Sequence, residues 1–253
     1  MSEKLFRIAI DGPAASGKST TAKMVARELG FGYVDTGAMY RAVTLDALAN
    51  SLSPTLEKDS QGIARLAANS RIEFGPLPSP HSSASQQVFL NGKEVTTDIR
   101  TPEVTRCIAG VAANPGVRAA LVGKQQALGR GEMDSGSKGH EVHGRLVRGV
   151  VMDGRDIGTV VLPDAELKIF LVADDEVRAQ RRWNEMRQED KARTSLEEVL
   201  RDLKERDRTD SERAVGPLRE AEGAVRVDTS QLTIEGQVRK IVELARERIE
   251  KWV

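Results

Sequence analysis

The 253-residue chain has one cysteine, Cys107, so it cannot close an intrachain disulfide. That suits a reducing compartment. Charge of one sign is not in excess. With 38 Lys and Arg against 38 Asp and Glu, nothing global argues for nucleic acid or an anionic membrane as partner, and any basic site must be local. No apolar run approaches the ~18 residues that cross a membrane. The opening "MSEKLFRIAIDG" lacks the long apolar segment and small-residue cleavage site of a signal peptide. A soluble cytoplasmic protein is the expectation. Histidine is scarce too. His81, His140 and His143 have no Cys or acidic neighbours at metal-ligand spacing, which favours solvent-exposed residues over a zinc site. Cys107, beside Ile108 and Ala109, reads as a packed helix residue rather than a nucleophile. Trp183 and Trp252 read as packing anchors. There are no internal repeats.

What is present is an alternation of apolar runs and helical patterns. Leu5 to Ile10, 31–37, 148–156, 167–173 and 224–230 read as buried strands. Between them lie helical patterns, including 175–190, 195–208 and 233–251, with Ser195 and Glu198 spaced as a capping box. The alternation predicts an α/β fold: five strands, mostly parallel, with helices on both faces. The middle differs. Residues 71–98 look like short antiparallel strands around an Asn91-Gly92 turn, and "GPLPSPHSSAS" reads as a mobile loop. Helical sequence from about 102 to 129 breaks at Asn114-Pro115-Gly116. The stretch 130–147 shows no periodicity and reads as a loop returning to the sheet. The expected organisation is a core of residues 1–70 and 147–253 with an α+β insertion at 71–146.

One turn in this frame carries chemistry. Gly12-Pro13-Ala14-Ala15-Ser16-Gly17-Lys18-Ser19 matches G-x-x-x-x-G-K-S, with a strand before it and a helix after it. Its glycines let backbone N–H groups turn toward phosphate oxygens, Lys18 reaches the outer phosphates, and the Ser19 hydroxyl suits magnesium. This predicts a P-loop NTPase fold and a triphosphate site, and leaves open whether the phosphate is held, hydrolysed or passed on.

Ligands of such sheets bind at the carboxyl ends of the strands. "VDTGAMYR" puts Asp35, Thr36, Tyr40 and Arg41 there, on a strand expected beside the first. Arg41 suits an acceptor phosphate; the alternative is a helix-capping Asp or Thr and a surface arginine. "VVMDGRD" puts Asp153 where a carboxylate meets magnesium through water, Arg155 where it could clamp a phosphate, and Asp156 where it could accept from a base amino group or a guanidinium. An Asp–Arg surface pair is the plainer alternative. Arg178, Arg181 and Arg182 share a helix face, and so do Arg206, Asp210 and Arg213. Arginines stabilise a moving phosphoryl group, although a solvated charged face is the commoner meaning of such helices. A nucleotide switch, the main rival from another class, needs no second phosphate site.

Taken together, "IDGPAASGKST", "VDTGAMYR", "DIRTPEVT", "PGVRAALVGKQ", "VMDGRDIGTVVLPDAELKIFL", "KERDRTDSERAVGPL" and "VDTSQLTIEGQV" resemble the bacterial-type cytidylate kinases, in order, over residues 6–245. The resemblance implies phosphoryl transfer from ATP to CMP or dCMP with Mg²⁺, an NMP-binding insertion, and a lid near 174–192. It implies that Lys18 and the backbone from Gly12 to Thr20 hold ATP. Thr36, Arg41, Arg155 and Arg213 would meet the CMP phosphate, Arg118 and Asp156 cytosine, and Arg206 and Asp210 the ribose side. The face of Arg178, Arg181 and Arg182 would belong to the lid, and Arg178 and Arg182 would act with Lys18, Arg155 and Arg213 in catalysis. A monomer, free of nucleic acid and membrane, is the expected state. Two stretches, 75–87 and 130–147, look like local extensions, and Ala109 stands where similar sequences carry a serine that reads the cytosine amino group. Relaxed acceptor choice, CMP or UMP, is the alternative that Ala109 raises.

Overall fold

The computed structural model describes residues 5–54, 56–79, 85–133, 135–186 and 188–253; His81 lies outside them. In the first half of the chain the elements are β1 (Phe6–Asp11), α1 (Lys18–Glu28), β2 (Gly32–Asp35), α2 (Thr36–Ala49) and α3 (Ser60–Asn69). Then come β3 (Ile72–Phe74), β4 (Val88–Leu90), β5 (Lys93–Glu94), α4 (Pro102–Ala113) and α5 (Pro115–Gly129). The second half holds β6 (His140–Val142), β7 (Arg145–Val147), β8 (Gly149–Gly154), β9 (Leu167–Val172) and α6 (Asp175–Glu185). It closes with α7 (Gln188–Lys191), α8 (Leu196–Glu212), β10 (Val225–Asp228) and α9 (Ile234–Trp252).

The main sheet has the order β10-β9-β1-β8-β2, and every pairing in it is parallel. Alternate residues of its strands feed two apolar layers. Ala9, Val150 and Met152 pack with Met39, Val43 and Leu121 from α2 and α5. Ile8, Ile10 and Val151 pack with Val25, Ile241 and Ala245 from α1 and α9. Both faces are covered, which is why these strands read as apolar runs rather than as alternating ones. Trp252 packs edge-on against Phe6 at 5.8 Å.

The order corrects one expectation: β2 does not lie beside β1. β8 separates them, pairing Val151 with Ile8 on one side and with Tyr33 on the other. β8 is buried along almost its whole length and suits an interior position, whereas four-residue β2 takes the edge. The consequence for the site is register. Asp35 and Asp153 are paired across β2 and β8, and Asp11 ends β1 beside them.

Helix starts follow local sequence. Thr101 and Asn114 cap α4 and α5, each with proline in the first turn. Ser195 and Glu198 form the reciprocal capping box of α8. The break between α4 and α5 falls on Asn114 alone, because Pro115 and Gly116 already belong to α5. Asn91 and Gly92 both have positive φ and turn β4 into β5.

Two segments differ from their sequence reading. The stretch 130–147 carries the β6–β7 hairpin and lies against the core: Lys138 and Gly139 both donate backbone N–H groups to Gly30 O, and Gly149 N–H donates to Ser137 Oγ at 3.1 Å. Strands of three residues are too short to show a period. His140 is half-buried in this hairpin, and exposed His143 forms its turn. The helix expected over 175–190 ends at Glu185 and is followed by the single turn of α7. No helix among the described residues is long and apolar enough to cross a membrane.

Candidate active site

The turn from Gly12 to Ser19 joins the end of β1 to α1. The residue that caps α1 is Gly17, in the left-handed region at φ 86, and no side chain caps the first turn. The first N–H groups of α1, from Lys18 through Thr20, are therefore turned toward the loop, where the helix dipole favours an anion. Lys18 is buried and donates to Pro13 O at 2.8 Å. Burial, and then the neighbouring Arg155, push its ammonium below the ordinary lysine range.

Carboxylates line the adjoining sheet edge. Asp153 is buried, with Oδ2 accepting from Ser19 Oγ at 2.6 Å and Oδ1 from Tyr33 Oη at 2.7 Å. Thr36 Oγ1 donates to the Asp153 carbonyl at 2.6 Å. Burial, reinforced by Asp35, raises the Asp153 pKa. Among the described residues no cluster of three or more His, Cys, Asp or Glu side chains is placed to hold a metal by itself. The Ser19–Asp153 oxygens nevertheless suit magnesium, a hard cation that takes few protein oxygens and completes its shell with water and substrate phosphate. Asp35 is the N-cap of α2, accepting from Ala38 N at 3.0 Å, as the plainer sequence alternative had it.

Beside this edge opens a cavity of 560 Å³. Thr36 and Tyr40 of α2, Arg118 of α5, and Arg155 and Asp156 after β8 line it, together with Arg182 of α6, Arg206 and Asp210 of α8, and Arg213 at the end of α8. Arginines outnumber carboxylates, so the cavity suits an anion. Arg155 Nε donates to Asp210 Oδ2 at 2.7 Å, and Arg213 Nε to the Asp210 carbonyl at 3.3 Å. Burial raises Asp210, but Arg155, Arg213 and Arg206 outweigh it and hold the carboxyl below its usual range. Arg206 is pulled down to about 10 by burial, with Arg155 alongside. Among the described residues Tyr40 Oη is buried with no hydrogen-bond partner, and Arg213 Nη2 has none beyond its ion pair with Asp210 Oδ1 at 3.6 Å. An unpaired buried hydroxyl at a cavity wall suits a polar ligand.

Asp156 meets a guanidinium: Arg118, buried on α5, is its ion-pair partner. Burial raises the Asp156 pKa, and Arg118 opposes the rise. The Arg118 guanidinium also lies 5.7 Å from the centre of the Tyr40 ring. Arg41 stands behind the wall, donating to Ile99 O at 3.2 Å and to cavity-lining Thr105 Oγ1 at 2.8 Å.

The three arginines of α6 diverge in use. Arg182 is half-exposed and lines the cavity. Arg181 donates to Thr229 Oγ1 at 3.0 Å, beyond the end of β10. Arg178 is buried and turns back to the loop, donating to Ala14 O at 2.9 Å and pairing with Asp175 and Asp207.

Four contributors escaped the sequence reading. Asp11 accepts from Ile157 N at 2.9 Å and Gly158 N at 2.7 Å, so it ties the base of the loop to the turn after Arg155 and Asp156. Burial pushes its carboxyl up to about 7, the two backbone donors opposing. The rule that singled out Asp35 and Asp153, a carboxylate at a strand end, applied equally to it. Tyr33, buried, orients Asp153. Asp207 reaches the Ala14 N–H at 2.9 Å. Gly216, at φ 60, runs so close to the Arg118–Asp156 pair that any Cβ would overlap both groups.

Residues 8–247 match the protein family described as cytidylate kinase. A cytidylate kinase of Desulfitobacterium hafniense (strain Y51) is 47% identical over 98% of this chain and 96% of its own. One from Ligilactobacillus salivarius (strain UCC118) is 45% identical over 97% of this chain and 98% of its own. One from Geobacillus sp. (strain WCH70) is 45% identical over 96% and 98%.

Proposed function

The chain belongs to the cytidylate kinase family, and we propose from that premise how its side chains divide the work. The enzyme transfers the γ-phosphoryl group of ATP to CMP or dCMP, giving ADP and CDP or dCDP. The observation that carries the division is the arginine-lined cavity opening beside the uncapped α1 terminus: two anion sites share one sheet edge.

In this reading Lys18 and the backbone from Gly12 to Thr20, with Pro13, Ala14, Ala15, Ser16, Gly17 and Ser19 between, hold the ATP phosphates. Thr36, Arg155 and Arg213 receive the CMP phosphate, with Arg41 reaching it past Thr105 and Asp35 fixing the start of α2. Tyr40, Arg118 and Asp156 form the wall that meets cytosine. Arg206 and Asp210 hold the ribose. Ser19, and Asp153 through water, would hold magnesium, which would supply neutralisation of the ATP phosphate charge.

The acceptor phosphate is already anionic at neutral pH, so its oxygen needs no strong base. It attacks the γ-phosphorus in line, and the bond from that phosphorus to the ADP oxygen breaks. Catalysis is then positioning and charge neutralisation: Lys18, Arg155, Arg182 and Arg213 surround the moving group. Residues 174–192 act as a lid that excludes water, and Arg178 belongs to it, joined to the loop. Residues 71–146 form the acceptor-binding insertion on a core of 1–70 and 147–253. A cytoplasmic monomer, with no nucleic acid or membrane partner, completes the proposal.

The alternative of CMP and UMP as equal acceptors is favoured by one observation: Ala109 lines the cavity and offers no side-chain hydrogen bond. Coupled ADP release with Mg-ATP and each of CMP, dCMP, UMP, AMP and shikimate tests both readings. Fast turnover with CMP and dCMP alone supports the first. Equal rates with UMP support the second, and no stimulation by any acceptor removes both.

A further inference from the structure

Two successive peptide groups of the phosphate loop, those on either side of the Ala14 Cα, are held by a single ion pair. Asp207 Oδ1, on α8, accepts the Ala14 N–H at 2.9 Å. Arg178 Nη1, on α6, donates to the Ala14 carbonyl at 2.9 Å. The two side chains then pair with each other through Asp207 Oδ2, and Asp175 holds the second Arg178 nitrogen. Burial lowers the Arg178 pKa, but its hydrogen bonds to Asp175 and Asp207 outweigh that and raise it overall, so the charge is kept. The Arg178 side chain is 5% exposed and that of Asp207 17%, so the bonds are sheltered from competing water.

The residue after the gripped one is Ala15, at φ 57. An L-residue avoids that region because its Cβ crowds the carbonyl oxygen. The loop therefore holds a strained alanine directly after a residue anchored through both its N–H and its carbonyl. A carboxylate beside an anion site repels the ligand unless it is neutralised, and here Arg178 neutralises it. What remains is an acceptor fixed on a loop N–H.

We propose that Asp207 and Arg178 are positioning residues for the phosphate loop: by fixing the N–H and the carbonyl of Ala14, and with them the two peptide groups that flank its Cα, they hold Ala15 in its left-handed conformation, and so keep the loop in the shape that receives the donor phosphates. This rests on reading the loop as the ATP site. The pair acts through the backbone, and Asp207 touches no reacting atom. It also links α6 and α8 to the donor side, which no feature of the loop sequence announces.

The test is a thermodynamic series on the full chain: isothermal titration of ATP, and separately of CMP, into the unsubstituted protein, Asp207→Asn, Asp207→Ala, Ala15→Gly and the Asp207→Ala/Ala15→Gly double variant. Losing a charge-assisted bond at a sheltered site should weaken ATP about tenfold in Asp207→Ala and less in Asp207→Asn, which keeps an acceptor oxygen. CMP should bind within about twofold of the unsubstituted protein, at the limit of ordinary surface effects, and the Ala15→Gly single variant gives the ATP affinity against which the double variant is compared. Glycine has no Cβ to crowd, so the double variant should recover a large part of the lost ATP affinity. If Asp207→Ala does not fold, Asp207→Asn with and without Ala15→Gly carries the same comparison. Unchanged or tighter ATP binding in the Asp207 variants overturns the proposal. So does equal weakening of CMP, or a double variant no better than the single one. Because ATP binding is read directly, a chain that binds ATP but does not phosphorylate CMP would refute the acceptor assignment while the series still decides on the clamp.

Discussion

Gly216→Ala puts a methyl group where the acceptor wall has no room. At φ 60 an alanine costs ~1–2 kcal/mol by backbone strain alone. Its Cβ would also overlap the Arg118 guanidinium and the Asp156 carboxylate, both of which are buried. The chain must shift or the pair must part. Removing one partner of a buried pair costs about 3–5 kcal/mol, and parting the groups without deleting either should cost less, on the order of 2 kcal/mol. Strain and separation together should lower stability by ~3 kcal/mol, which for a chain this long is a drop of about 6–12 °C in Tm. The functional share falls on the acceptor. A displaced Arg118–Asp156 wall should raise the KM for CMP about 30-fold, the equivalent of ~2 kcal/mol, and leave the KM for ATP within about twofold. The assay is initial-rate ADP release with each substrate varied against saturating partner, below the variant's own Tm. Equal changes in both KM values, or none, would refute the placing of this pair at the acceptor site.

The buried Asp11 carboxyl should write a slope into stability. Its ordinary value is 3.8 and its folded value about 7, so between these the native state keeps a proton that the unfolded chain has lost. Stability contributed here is present at about pH 4, falls by up to ~4 kcal/mol as pH rises to about 7, and is flat beyond. Urea unfolding at several pH values should show that slope reduced in Asp11→Asn; an identical slope in both proteins would refute it. Ala109→Ser restores a hydroxyl on the cavity wall and should raise the CMP-to-UMP ratio of kcat/KM about fivefold, as one gained hydrogen bond allows; parallel rates with both acceptors settle it. Ser19→Ala should raise the magnesium needed for half-maximal rate on the order of 10–100-fold, measured by titrating the metal at fixed ATP; an unchanged requirement would count against Ser19 as a ligand.

The five main-sheet strands and the capping box of α8 were legible because each is a local pattern: an apolar run, or Ser195 three residues before Glu198. The position of β2 was not, because strand order depends on which runs bury both edges, and chain order carries no such information. The phosphate loop was legible for the same local reason. Arg118 came to light through resemblance alone, since nothing around it in sequence points to Asp156, which lies 38 residues on. Asp207 and Gly216 were hidden by their setting, one among charged helix residues and one in a plain turn. Both act on groups brought near only by folding. The divergence of Arg178, Arg181 and Arg182 shows the limit of helical spacing. A shared face does not fix where long side chains end, and their partners on the loop, on α8 and after β10 decide that.

The Arg118–Asp156 contact joins α5 to the turn after β8, and Tyr40 of α2 lies against the same guanidinium. That side of the cavity is riveted. Sliding α5 away from the sheet would part a buried ion pair, at a cost on the order of 2 kcal/mol. Another part of the wall carries half-exposed Arg182, with a helix that ends at Glu185 and a single turn after it. On the proposed assignment breathing should therefore be lopsided: nucleotides should come and go by way of the wall that carries Arg182, while the wall proposed to meet the base stands still.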